Sequence, residues 1–125
     1  MNDKTIEQEI QAKGLTAPRV TPADIEAEIA SEHFFAAGDA AFPGDAIAGS
    51  DMAAYSALAL LTFCVLRLKN GFTVTGESAC ASPENFDAEI GRKIARQNAV
   101  AKIWPLLGFR LRDELTSLPD HPGLG

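Results

Sequence analysis

Residues Phe72–Leu107 read FTVTGESACASPENFDAEIGRKIARQNAVAKIWPLL, and this stretch decides the fold. It opens on β-branched alternation, FTVT. It then passes through a polar loop, GESACASPEN, and ends in an amphipathic helix pattern. Just upstream, the apolar run Leu60–Lys69 meets Asn70-Gly71, the strongest turn signal in the chain. Asn-Gly suits a two-residue type I′ hairpin, in which both turn positions need positive φ. That turn sets Lys69 opposite Phe72, Arg67 opposite Val74, Val65 opposite Gly76 and Phe63 opposite Ser78. Leu61, Phe63, Val65, Phe72 and Val74 then share one face of the hairpin. Cys64 falls on the other face and Cys80 beside Leu61, so no disulfide is expected between them.

Ser82-Pro83-Glu84-Asn85 reads as a helix start, with a hydroxyl cap and proline at the first helical position. Phe86, Ile90, Ile94, Ala101 and Trp104 recur at helical spacing and are expected to pack on the hairpin. Glu89, Arg92, Lys93 and Arg96 form the polar face. Pro105 should end this helix. Leu107, Leu111, Leu115 and Leu118 suggest a further helix, with a strand over Gly108–Arg112 as the alternative.

Upstream, Asp3–Lys13 forms a short helix stopped by Gly14, followed by a linker. Thr21-Pro22-Ala23-Asp24 starts a second helix that should run to His33 or Phe35, with Ile25, Ile29 and His33 on one face. Residues 36–50 are rich in Gly, Ala and Asp and read as a mobile loop. Ser50-Asp51 can cap one or two turns through Tyr55 to Leu58. The expected architecture is a small single α+β domain over residues 21–118: helix, antiparallel β-hairpin, long packed helix, and a short C-terminal helix or strand. Residues 1–20 are a helix and linker with scope to move, and 119–125 a disordered tail.

The run LTFCVLRLKNGFTVTGESACASPENFDAEIGRKIA, followed by KIWPLLGFRL, closely resembles the tailed-phage gene product 49 family of small proteins. The match extends from about Leu61 to Leu111, and TPADIEAEIASEHFF resembles the family's lead-in. The resemblance implies a phage or prophage gene expressed in the bacterial cytoplasm. It implies no activity, so no functional residue is carried over from it.

Composition narrows the function classes. The net charge is −6, and it is uneven: residues 1–51 carry ten acids against three bases, residues 52–125 seven against eight. The acidic half repels a polyanion, which disfavours nucleic-acid binding. The N-terminus MNDKTIEQEI lacks an apolar h-region, and Ala53–Leu66 is too short to span a membrane. The two cysteines have neither metal nor redox spacing. No metal, cofactor or catalytic set is expected, because the chain lacks a P-loop and a His/Asp/Glu cluster.

Four candidates carry chemistry. Gly76-Glu77-Ser78-Ala79-Cys80 resembles a nucleophile elbow but lacks its second glycine. The helix start Ser82–Asn85 has free N–H groups for an anion, although Glu84 opposes one. Arg92 and Arg96 lie one turn apart and suit bidentate phosphate recognition, against the plainer reading of a self-paired solvated face. In His33-Phe34-Phe35 the two rings cannot face one core, which frees Phe34 to stack on a ligand. The combined expectation is a small anionic, nucleotide-like ligand held by Glu77, Ser78, Ser82, Asn85, Arg92, Arg96 and Phe34. The loop and the arginines lie far enough apart that two subunits would share the site. A homo-oligomer is expected because the hairpin is apolar on both faces. The expected role is a non-enzymatic accessory protein that sequesters a host signal. Direct inhibition of a host protein, a small nucleotide-processing enzyme and a virion component are the alternatives.

Overall fold

The computed structural model describes residues 2–117. The expectations placed on Leu118 and the 119–125 tail lie outside them. The fold is α+β. Its elements run α1 (Asp3–Ala12), α2 (Pro22–Glu28), β1 (Ile29–Ala36), α3 (Ala37–Ala41), α4 (Met52–Leu58), β2 (Leu61–Leu68), β3 (Thr73–Ala79), α5 (Ala88–Ala101) and α6 (Ile103–Thr116). Two compact units emerge: one of residues up to Glu28 with those from Ile103, the other of Ile29–Lys102.

In the first unit, Asn2 caps α1 by accepting from the Thr5 N–H at 2.8 Å. Thr21 caps α2 as expected, its hydroxyl accepting from the Asp24 N–H at 3.1 Å, and Asp24 reciprocates by accepting from the Thr21 N–H at 2.9 Å. This pair satisfies two N–H groups that a helix start leaves orphaned. Ile25, Ile103 and Leu107 are buried. Arg19 forks onto Glu7, with Nη2 donating to Oε2 at 2.7 Å, and holds the Glu7 carboxyl down to about 2. The Trp104 indole N–H donates to Asp3 at 2.9 Å. Trp104 therefore belongs to α6 and ties to α1, rather than anchoring the long helix on the hairpin. Pro105 does not end a helix either. The break falls at Lys102, and Pro105 sits in the first turn of α6, where its missing N–H removes no intrahelical bond. The C-terminal element is a helix, not a strand.

The second unit is a three-stranded antiparallel sheet in the order β1-β2-β3. The helix expected to reach His33 stops at Glu28, and Ile29–Ala36 forms an edge strand. It pairs Phe35 with Phe63, His33 with Val65 and Ser31 with Arg67. The β2–β3 register is one residue from the expected one: Phe63 faces Glu77, Val65 faces Thr75 and Arg67 faces Thr73. The loop explains the shift. The Leu68 N–H donates to the Phe72 carbonyl at 2.8 Å and the Gly71 N–H to Leu68 at 2.9 Å. Three residues, Lys69–Gly71, thus make the connection, and within it positive φ is confined to Gly71, at 89°. This is a turn closed by a left-handed glycine, not type I′.

A one-residue slip exchanges the faces of a strand. Thr62, Cys64, Leu66, Leu68, Val74 and Gly76 are buried, while Leu61, Phe63 and Val65 on the other face are half-buried. Helix α5 packs on β2 and β3 through Gly91, Ala95 and Ala99. A Cβ on Gly76 would lie 2.2 Å from the Ala95 carbonyl oxygen and 2.3 Å from the Ala99 nitrogen, so the backbones touch and only small residues fit. The stripe expected to face the sheet is off by one position: Ile90 and Ile94 are exposed. Asp87, not Ser82, caps α5, accepting from the Ile90 N–H at 3.0 Å. Ser82 instead precedes a short 3₁₀ turn, Pro83–Asn85. Residues 36–50, expected as loop, contain α3.

Candidate binding cleft

Within the second unit, the end of β1, α3, α4, the start of β2 and the start of α5 enclose a cleft of about 380 Å³. Its aromatic lining is Phe34, Phe35, Tyr55 and Phe86, and its charged groups are Asp39 and Arg92. Local packing fixes these side chains. A Cβ added at Gly38 would meet the Tyr55 oxygen and Ala59 nitrogen at 3.0 Å, so α3 lies tightly on α4 and brings Asp39 to Tyr55. The Tyr55 hydroxyl donates to Asp39 Oδ1 at 3.2 Å. That bond, and the carboxylate charge behind it, push the phenol pKa upward, so the Tyr55 ring stays neutral at physiological pH. Phe42 meets Tyr55 edge to face, with ring centroids 6.4 Å apart. Phe35 stacks on Phe63 at 5.6 Å.

Two groups in the cleft lack an internal partner. Thr62 is only 6% exposed and borders the cleft. Its hydroxyl has no hydrogen-bond partner among the described residues. Arg92 likewise forms no ion pair or hydrogen bond among them. A buried hydroxyl left unsatisfied is uncommon, because desolvation without a partner costs roughly 1–3 kcal/mol. Gly91 stands over Thr62, where an added Cβ would lie 3.0 Å from Oγ1. A hydrogen at position 91 therefore leaves room at the hydroxyl.

The structure distributes the seven residues expected at a ligand site. Phe34 and Arg92 line the cleft. Arg96 is engaged elsewhere, its Nε donating to Glu32 at 2.7 Å. Glu77 lies on β3 opposite Phe63, and its carbonyl accepts from the Asn98 amide at 2.8 Å. Ser78 is half-buried opposite Thr62. The Ser82 hydroxyl donates to Glu84 at 2.6 Å and holds that carboxyl below its ordinary pKa. Asn85 is exposed in the 3₁₀ turn. Within one chain these residues do not converge. Asp39, Tyr55, Thr62 and Phe86 were not singled out for a site in the sequence. Asp39 and Tyr55 belong to no motif, Phe86 reads as an ordinary packing position, and no motif includes Thr62.

Cys64 and Cys80 are both free, and burial pushes the Cys64 thiol upward. Among the described residues, no group of three His, Cys, Asp or Glu side chains is placed to hold a metal ion. No helix among them is long and apolar enough to cross a membrane.

No curated protein and no solved structure matches the chain. A family model does match residues 20–115, a span that contains the whole sheet, α5 and every residue of the cleft. The chain belongs to the phage protein (N4 Gp49/phage Sf6 gene 66) family.

Proposed function

We propose that this phage protein is a non-enzymatic binding protein of the host cytoplasm, and that the cleft holds a small anionic, nucleotide-like ligand. The observation that carries the reading is the buried, unpartnered Thr62 hydroxyl beside an unpaired Arg92 in an aromatic-lined cleft. Each element matches one part of such a ligand. The rings of Phe34, Tyr55 and Phe86 offer apolar faces to a planar base. The Arg92 guanidinium offers a planar fork to a phosphate. Asp39 and Thr62 offer an acceptor and a hydroxyl to ring N–H groups or sugar oxygens. The volume, about 380 Å³, falls in the roughly 300–1,000 Å³ range of small-molecule sites and suits one mononucleotide unit. A protein that binds such a molecule without altering it lowers its free concentration. In an infected cell this would blunt a nucleotide-signalled host defence.

Calorimetry with AMP, GMP, cyclic AMP and cyclic GMP tests the reading. At least one should bind the wild type and be recovered unchanged. Arg92→Ala should weaken that binding by about tenfold or more, since a hydrogen bond to a charged group contributes roughly 1.5–3 kcal/mol. Absence of binding across the panel, equal binding by the variant, or conversion of the bound nucleotide would each overturn it.

A further inference from the structure

The face of the sheet turned away from α5 bears three aligned rows: Ser31–Arg67–Thr73, His33–Val65–Thr75 and Phe35–Phe63–Glu77. Phe35 is 40% exposed, and Phe63 and Val65 are half-buried. Its apolar part is Val65 in the central row and the Phe35–Phe63 pair in the next, with His33 and Thr75 flanking Val65, and Arg67 and Glu77 set opposite charges at the two ends. Arg67 donates through Nε to Ser31 at 3.0 Å. Neither Arg67 nor Glu77 forms an ion pair among the described residues. The two charged rows stand about 13 Å apart, at roughly 3.3 Å per residue.

We propose that this face is a homodimer interface, occupied by the same face of a second copy. The charge pattern selects the symmetry. A two-fold axis along the central row lays Val65 against its counterpart. It also carries the Arg67 end of each copy over the Glu77 end of the other. Each guanidinium then meets a carboxylate and the Phe63 ring, the arrangement that ion pairing and cation–π attraction favour. An axis along the strands would instead stack Arg67 on Arg67 and is disfavoured by like-charge repulsion. Sheets packed face to face lie about 10 Å apart, within the joint reach of Arg and Glu side chains. Three strands and five residues outline a patch of about 14 by 16 Å, smaller than the roughly 800 Å² per partner of a standard interface. With a patch of roughly 220 Å², about a quarter of that area, the dimer should be weak and dissociate on dilution below about 1 mM.

Sedimentation equilibrium on the full chain tests this, with circular dichroism to confirm folding. The mass should rise from 13.3 kDa toward twice that value as concentration increases from about 1 μM to 1 mM, a span that covers the affinities of small interfaces. Val65→Asp should abolish the rise. Arg67→Glu and Glu77→Arg should each weaken dimerisation by about tenfold, equivalent to roughly 1.4 kcal/mol. The double charge swap should restore it. A wild type that stays at 13.3 kDa would overturn the proposal. So would single swaps without effect, or a double swap no better than either single. Phe35 borders both surfaces, but Val65, Arg67 and Glu77 do not line the cleft, so their variants test the dimer separately from the ligand-binding reading.

Discussion

The two faces of the sheet differ in a way that residue size alone does not suggest. The face under α5 buries a cysteine, a threonine, a glycine and three aliphatic side chains, while the far face leaves phenylalanines partly open. The helix lies so close at Gly76 that it meets the sheet through small residues, Gly91, Ala95 and Ala99. Backbone proximity, not hydrophobic bulk, chose which residues went inside. The bulkier, exposed isoleucines of the same helix flank the contact rather than make it. A tightly packed face transmits volume errors directly into stability, whereas an open face absorbs them. The cleft borders the packed layer through Thr62, so its shape inherits that rigidity.

The contrast can be broken by substitution. Leu66→Ala, at a position with no exposure, should destabilise by about 4 kcal/mol in chemical denaturation, as large cavities in packed cores do. Gly76→Ala adds a single methyl group yet should cost about 3 kcal/mol, because the atoms it meets are backbone and cannot swing away. Val65→Ala on the open face should cost less than about 1 kcal/mol, since little close packing is lost. A Val65→Ala effect as large as that of Leu66→Ala would mean the assignment of faces is inverted. Gly71→Ala should cost about 1 kcal/mol, the penalty of a left-handed backbone for a residue with a Cβ. Thr62→Val should leave stability unchanged or slightly raised, because it removes a buried hydroxyl that has no internal partner.

Much of the fold was legible in the chain, and the errors share one cause. The helix start at Thr21-Pro22, the hairpin and the two C-terminal helical patterns follow from local chemistry that acts within a few residues. The register did not follow, because Asn70-Gly71 serves two-residue and three-residue loops alike. Choosing between them depends on which face the helix covers. Strand β1 was hidden for the same reason. Ile25, Ile29 and His33 fit a helical repeat, and only pairing with β2 makes IASEHFFA extended. Of the residues lining the cleft, Phe34 and Arg92 drew attention in the sequence, the one from an awkward aromatic pair and the other from its spacing to Arg96. Asp39 and Tyr55 were not, since α3 meets α4 through Gly38, a contact that no spacing encodes.

The central claim, that the cleft is a nucleotide-binding site, is tested most directly by an amide and side-chain NMR titration of ¹⁵N-labelled protein with AMP and GMP. Saturable shifts should appear at the Thr62 and Tyr55 amides and the Arg92 Nε–H, and they should be lost in Arg92→Ala. Saturable shifts confined to residues outside the cleft, or none at all with either nucleotide, would contradict it.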